Sequence, residues 1–180
     1  MASEAWLAGP LPGVDPVLMP AAHALAQARD DIEHAVAELT VAELWVSPGG
    51  AASVGFHLRH VAGSIDRLLT YARGEPLSEA QHAALLAEQL AGDPPAEAAS
   101  LAREAGDAIE GALAAIRAAD VGRLHEPRTV GRAALPTTLF GLLFHVAEHT
   151  QRHTGQIIST AKIVRGLTLG AAATDPGAIP

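Results

Sequence analysis

The sequence predicts an all-α protein, a four-helix bundle with a short extra helix between the second and third long helices. Hydrophobic residues make up 49% of the chain but aromatic residues only 3%. The apolar content is chiefly Ala, Leu, Val and Ile, and richness in Ala and Leu favours helix over strand. Apolar residues also recur at helical spacing in four long segments that Pro and Gly separate. A chain of 180 residues suits a single domain with its own core.

The first part of the chain predicts an irregular arm followed by a long helix. Residues 1–14 are rich in Pro and Gly, and we expect this arm to lie across the bundle through Trp6 and Leu7. The helix is predicted to begin at Asp15-Pro16, which offers a good N-cap followed by Pro at the first helical position. It is expected to end near Leu39.

Turn and capping residues place the next two helices. The glycine-rich turn Val46–Gly50 precedes a second helix predicted over residues 52–72, with Ser53 or a near neighbour as its cap. A capping box of the form S-x-x-Q, from Ser78 to Gln81, predicts a short helix that ends near residue 90.

The second half of the chain predicts two further long helices. The third spans residues 96–119, and residues 121–135 should be mostly loop with a short extended piece around residues 128–130. The last helix is predicted to begin at Pro136 and to end near Val164, with Gly166 following it. The bundle would thus cover residues 15–166, and residues 167–180 would form a loose tail.

Composition excludes several classes of function. The chain has no cysteine, so a metal site must use His, Asp, Glu or solvent, and a thiolate nucleophile is excluded. The net charge of −8 opposes nucleic acid, and basic residues form no cluster. The N-terminus does not resemble a signal peptide, and no apolar run is long enough to span a membrane. We therefore expect a cytoplasmic protein with neither nucleic-acid nor membrane partners.

Five of the nine histidines fall into two groups at helical spacing. His57 and His60 belong to the predicted second helix, whereas His145, His149 and His153 belong to the last. Each i, i+4 step turns the helix by about 40° beyond a full turn, so the last three form one stripe. Apolar residues beside this stripe indicate that it faces the bundle interior or its mouth.

The two groups together predict a metal site. Two imidazoles at i, i+4 on a rigid helix are good ligands for a first-row divalent metal, and His149 and His153 have this spacing. A third ligand must come from another helix, where His60 is our choice and His57 the alternative. His145 is expected to line the site. Three protein ligands leave coordination positions open for water or substrate, as in catalytic or ligand-binding sites.

Two segments resemble the DinB-like family of bacterial four-helix metalloproteins. They are Ser53–His60 and His149–Gln156, the second of which reads H-T-Q-R-H-T-G-Q. The resemblance implies that His60, His149 and His153 are the metal ligands, in agreement with the choice above. Thr154 departs from the family, which often carries Arg or another polar residue there. Gly155 should suit close helix packing, and Gln156 should hydrogen-bond a ligand.

The resemblance also implies a range of functions. The wider superfamily includes transferases and isomerases that use a low-molecular-weight thiol, so we expect a metal-dependent hydrolase or a thiol-dependent S-transferase. One divalent ion, zinc or nickel, would be the cofactor, and a small molecule the substrate. Because the chain has no cysteine, the thiol must be a cosubstrate. The alternative is a stress-associated module that binds metal or a small ligand without turnover. The family is frequently dimeric, which makes a homodimer an expectation as well.

Overall fold

The computed structural model describes residues 4–173, which form six α-helices and one pair of strands. Short 3-10 turns precede the first helix and lie in two connections, at Ala5–Leu7, Pro48–Gly50 and Val121–Arg123. The main elements in chain order are α1 (Met19–Val36), α2 (Val41–Leu44), α3 (Val54–Ala72), α4 (Glu79–Ala87), α5 (Ala98–Ala118), β1 (Pro127–Val130), β2 (Leu135–Thr138) and α6 (Leu139–Ala173).

The four long helices share one hydrophobic core. Both α1 and α3 pack against α5 and against α6. Each long helix contributes a large apolar side chain that is fully buried, as Leu25, Leu58, Ile109 and Ile157 show. Burial of one such side chain contributes about 1.5–3 kcal/mol to folding. The predicted mainly helical fold is confirmed.

Side-chain caps begin three of the helices as their sequences require. The Ser53 hydroxyl accepts a hydrogen bond from the backbone N–H of Phe56 at 3.1 Å and caps α3, as predicted. The predicted capping box is also present, because the Ser78 and Gln81 side chains each accept from the other's backbone N–H. A second capping box, between Thr40 and Glu43, opens α2, which the sequence analysis missed.

The N-terminal arm contacts α1 differently from the prediction. Trp6 and Leu7 are 63% and 60% exposed, so they do not anchor the arm. The backbone N–H of Ala5 instead donates to the Gln27 side chain at 2.9 Å. The predicted start of α1 is also displaced, since Asp15 accepts from the Val17 N–H within a turn that precedes the helix. The helix ends at Val36, three residues before the predicted end.

A β-hairpin occupies the predicted start of the last helix. Strand β1 pairs with β2 in antiparallel register, and Thr129 lies opposite Pro136. Gly131 follows β1 with φ +70°, a conformation that glycine adopts without strain. The first backbone N–H groups of α6, from Leu139 and Phe140, donate to carbonyls of the loop before β1. The prediction that the helix begins at Pro136 was therefore wrong, because these residues pair as a strand.

The end of the last helix also differs from the prediction. Helix α6 continues through Val164 and Gly166 to Ala173, so Gly166 does not terminate it. Residues 167–173 of the predicted tail are helical, whereas residues 174–180 lie outside the described residues. Among residues 4–173, no helix has the length and apolar character needed to cross a membrane.

Helix α4 is attached to α3 by polar contacts. None of its own residues is buried. The Gln81 amide donates to Asp66 at 2.7 Å and to Thr70 at 2.8 Å. The Arg59 guanidinium donates to three backbone carbonyls at and after the end of α4, those of Ala87, Leu90 and Ala91. These contacts hold the chain at the end of α4 against one side of α3.

Candidate metal centre

Two neighbouring rows of side chains run along α3. Leu58, Val61 and Ile65 form the apolar row and are buried in the common core. His57, His60 and Ser64 have the same spacing one residue earlier, so they lie about 100° around the helix from the apolar row. His57 is 5% exposed, and His60 is partly buried. The polar row therefore lies at the edge of the core.

Helix α6 repeats this arrangement. His145, His149 and His153 precede by one residue the buried side chains Val146, Thr150 and Thr154. Because α3 and α6 pack against each other, the two histidine rows meet beside their contact.

His60, His149 and His153 come together at this meeting point. Each offers a ring nitrogen that lies within 4.8 Å of the other two. Their ring centroids are 4.4 to 5.1 Å apart. The Nε2 atoms of His60 and His149 are separated by 3.0 Å. Two nitrogens that bind one ion at about 2.0–2.1 Å are separated by about 3 Å, so this distance suits a shared ion.

A buried carboxylate holds the opposite side of the His60 ring. The Oε2 atom of Glu88 lies 2.7 Å from His60 Nδ1, and its Oε1 atom accepts from Arg67 Nη1 at 2.7 Å. The side chains of Glu88 and Arg67 are only 5% and 10% exposed. A neutral histidine that donates one ring N–H to a carboxylate is a common arrangement around protein-bound metals.

The sequence analysis missed Glu88 entirely and found no specific role for Arg67. Glu88 directly follows a short helix with exposed leucines, and nothing in its local sequence distinguishes it from a surface glutamate. The one available signal was Gly63, a glycine inside α3 near the predicted ligand His60. A glycine within a helix weakens it and often marks the close approach of another group.

The two other histidines occupy supporting positions. His57 Nδ1 lies 3.0 Å from His153 Nδ1, so His57 contacts one of the predicted ligands, His153. Of the two candidates on α3, only His60 joins the group of three ligand atoms. His145 lies next to His149, with 5.3 Å between ring centroids, and pairs with the exposed carboxylate of Glu148 at 3.1 Å.

Burial favours the neutral form of His149, His153 and His57. It lowers the pKa of His149 to about 4, and the neighbouring His60 lowers it in the same direction. Burial, together with His60 and His149, lowers the pKa of His153 to about 3. Burial and His60 also lower the pKa of His57. Only a neutral imidazole has a lone pair for a metal, so these pKa shifts favour the ligand form.

The same contacts keep Glu88 ionised. Burial alone would raise the pKa of its carboxyl, but the hydrogen bonds from His60 and Arg67 outweigh burial and lower it. The site therefore combines three imidazoles with the buried ion pair of Glu88 and Arg67, which lies outside the group of ring nitrogens.

The donor set of the cluster fits a divalent ion, and one ring atom of His149 has no partner. His149 Nδ1 is buried, and no hydrogen-bond partner for it exists among the described residues. Burying a polar atom without a partner costs about 1–3 kcal/mol. Because Nε2 of the same ring is the atom that faces His60, an ion held there would leave Nδ1 without a partner. The donor set of borderline nitrogen ligands fits zinc, nickel and related divalent ions.

A small cavity opens beside the histidines. It has a volume of about 260 Å³ and includes His60, His149 and His145 in its lining, as the prediction for His145 required. Arg67, Tyr71 and several leucines complete much of its wall. A larger cavity of about 600 Å³ lies between α1 and α5, but no histidine lines it. The histidines, and not the volume, therefore make the smaller cavity part of the candidate site.

Three residues after His153 differ in role from the predictions. Thr154 is 1% exposed, and its hydroxyl donates to the Thr150 carbonyl at 2.9 Å, so it contributes to the helix and not to a ligand contact. Gly155 and Gln156 are both exposed. A Cβ atom added to Gly155 would meet nothing within 4 Å, so close helix packing does not explain this glycine.

Comparison with known families identifies the chain. The family model of the DinB superfamily matches residues 24–157. The chain belongs to the DinB superfamily. The match covers most of α1, all of α3, α4 and α5, and the part of α6 that carries His149 and His153. With His60 on α3, it therefore includes all three candidate ligands of this DinB protein. Among the curated proteins, none matches the chain.

We expect the metal-free protein to lose stability as the pH falls below about 6.5 toward the folded pKa values of about 4 for His149 and about 3 for His153. The pKa values of His149 and His153 lie below 6.5 in the folded state. The unfolded chain therefore binds more protons in this range, and protons favour unfolding. Above about pH 6.5 both histidines are neutral in both states and their effect disappears. Urea unfolding in the presence of a chelator measures this dependence.

The matched variants for this experiment are His149→Gln/His153→Gln and His82→Gln. The double variant should show a shallower loss of stability, whereas removing the exposed His82 should leave the slope unchanged. Equal slopes in the double variant and the unmodified protein would contradict the assignment of these two histidines as buried neutral groups.

Proposed function

We propose that the protein binds one divalent metal ion through His60, His149 and His153 and uses it as a metal-dependent hydrolase or thiol-dependent S-transferase. The observation that carries the proposal is the meeting of three ring nitrogens from two helices within 4.8 Å. Membership of the DinB superfamily supports it. Zinc or nickel is the proposed ion, because three imidazoles suit either metal.

The open side of the site supports a reaction with a small molecule. A divalent ion in such a setting lowers the pKa of a thiol or water that it coordinates and so provides a nucleophile near neutral pH. The cavity of about 260 Å³ can admit a small substrate beside the histidines. Because the protein has no cysteine, a thiol would have to enter with the substrate.

The chain's own residues would bind and orient this substrate. Leu68, Leu77 and Leu85 give the cavity an apolar wall, while Tyr71 and His145 bring polar groups to it. Of the lining histidines, His145 is the one outside the three-ligand group, and its side chain is 45% exposed. An accessible imidazole of this kind can act as a general acid or base toward a substrate.

One observation favours a second candidate, a module that binds metal or a small ligand without turnover. The residues that line the cavity include no carboxylate, so general-base catalysis would depend on His145. The nearby carboxylates are already paired: Glu88 with Arg67 and His60, and Glu148 with Arg152 and His145. A homodimer and a cytoplasmic location remain predictions from the resemblance and the sequence.

Metal titration of untagged protein should give one bound zinc or nickel ion per chain. His60→Ala, His149→Ala and His153→Ala should each weaken binding by more than about 100-fold, since losing even a hydrogen-bond partner of a ligand typically costs 10–100-fold. His82→Ala, which removes an exposed histidine of α4, is the matched control and should bind normally. If the three variants bind as tightly as the control, the proposed ligand set is wrong.

Conversion assays should distinguish an enzyme from a binding module. The metal-loaded protein is mixed with a reactive electrophile and each of several low-molecular-weight thiols, and the thioether product is measured against protein-free reactions. An S-transferase gives thiol-dependent conversion that His149→Ala abolishes. A hydrolase instead consumes an ester or amide substrate without any thiol. Metal binding with no conversion of either kind would reject the enzymatic proposal and support the binding module.

A further inference from the structure

Glu88 is buried although the helix before it buries none of its residues. It directly follows α4, yet it is only 4% exposed. Both carboxylate oxygens have partners on α3, one at His60 Nδ1 and the other at Arg67 Nη1, each at 2.7 Å. The Arg59 contacts to the carbonyls beyond α4 hold the chain on either side of this residue. The Glu88 carboxylate is thus held by His60 and Arg67, and the backbone around Glu88 is held by Arg59.

The backbone of α3 makes room for this contact at Gly63. A Cβ atom at this position would lie 2.6 Å from Glu88 Oε1 and 2.8 Å from Arg67 Nη1, closer than Cβ atoms ordinarily approach other atoms. With glycine here, the carboxylate and guanidinium meet over the backbone of α3 without being displaced. The space above Gly63 thus accommodates the ion pair that Arg67 and Glu88 form.

We propose that Glu88 is a positioning residue that fixes His60 in the tautomer protonated at Nδ1, so that its Nε2 lone pair faces His149 and His153. A carboxylate paired with Arg67 can only accept, so the hydrogen in its bond with His60 belongs to the imidazole. A neutral imidazole has one N–H, which leaves Nε2 free of hydrogen. That atom lies 3.0 Å from His149 Nε2.

Arg67 and Gly63 act through Glu88. Arg67 occupies the second oxygen, which prevents the carboxylate from turning away from His60. Gly63 leaves the space in which this happens. This role of Glu88 rests on the proposed metal site, because a fixed Nε2 lone pair matters only where it can bind a metal ion. The tautomer of His60 itself can be measured in the metal-free protein.

Long-range ¹H–¹⁵N NMR of the metal-free protein reads the tautomer directly. In the unmodified protein His60 should be protonated at Nδ1 alone. In Glu88→Ala the proton should be distributed over both nitrogens, because its acceptor is gone, while Glu88→Gln keeps an acceptor oxygen and should retain more of the Nδ1 form. An unmodified protein in which His60 carries its proton on Nε2, or on both nitrogens equally, overturns the proposal, and this measurement does not depend on how well any variant folds.

Metal affinity provides the second readout. Competition with a zinc chelator should show Glu88→Ala binding about 10–100-fold more weakly than the unmodified protein, with Glu88→Gln between the two. Gly63→Ala should weaken binding similarly, since its Cβ displaces the Glu88 carboxylate. A folded Glu88→Ala that binds zinc with unchanged affinity overturns the role of Glu88.

Two matched controls accompany these variants. Glu148→Gln removes a carboxylate that makes the same kind of contact with His145, but at an exposed position. Gly106→Ala changes a glycine of α5 around which a Cβ would meet nothing within 4 Å. Both should bind zinc within about threefold of the unmodified protein. If the unmodified protein binds no metal at all, the proposed function fails, and the NMR result still decides the tautomer.

Discussion

The packing of α3 against α6 determines where the imidazoles of His60, His149 and His153 meet. On each helix a histidine row lies next to a row of buried residues, so the contact that builds the core also aligns the histidines. Leu58 and Val61 on α3 and Val146 and Ile157 on α6 belong to the same core cluster. A displacement of either helix by one residue would separate the ligand atoms, because side-chain direction turns by about 100° per residue. The packing of the core therefore determines the geometry of the site.

The protonation states and charges of the site add to the geometry that helix packing determines. Three imidazoles this close could not all be protonated, and burial further disfavours their charged forms, as the low pKa values of His149 and His153 indicate. Neutral imidazoles have ring-nitrogen lone pairs, and few hydrogen-bond donors in the cluster are available to interact with them. Glu88 and Arg67 add a buried ion pair on one side, which carries no net charge and borders the ring of ligands. A positive ion among the nitrogens that face one another would interact with the lone pairs of all three imidazoles.

Sequence reasoning succeeded where local patterns decide the outcome. Helical periodicity and capping residues such as Ser53 and Ser78 indicated the long helices, and the i, i+4 histidines indicated which side chains share a face. It failed at the beginning of α6, where strand pairing and tertiary hydrogen bonds override the helix-starting pattern at Pro136. It also stopped α6 too early at Gly166.

The sequence left part of the site unpredicted for a physical reason. The sequence predicted His60 but kept His57 as an alternative, because the choice between them depends on the rotation of α3 relative to α6, which sequence spacing does not determine. Glu88 reaches His60 from a separate segment of the chain, 28 residues away, and no periodicity links the two. Contacts of this kind depend on how α4 is placed on α3, and that placement rests on single polar bonds such as the Gln81 amide to Asp66.

X-ray absorption at the metal edge of the zinc-loaded protein is the most direct test of the three-histidine site, because it counts and measures the ligands of the ion. We expect scattering from three imidazole rings, with first-neighbour nitrogen distances of about 2.0–2.1 Å, and one or more light atoms from solvent at the open side. A spectrum with fewer than two imidazoles, or one dominated by carboxylate oxygen, would show that the ion binds elsewhere and that His60, His149 and His153 are not its ligands.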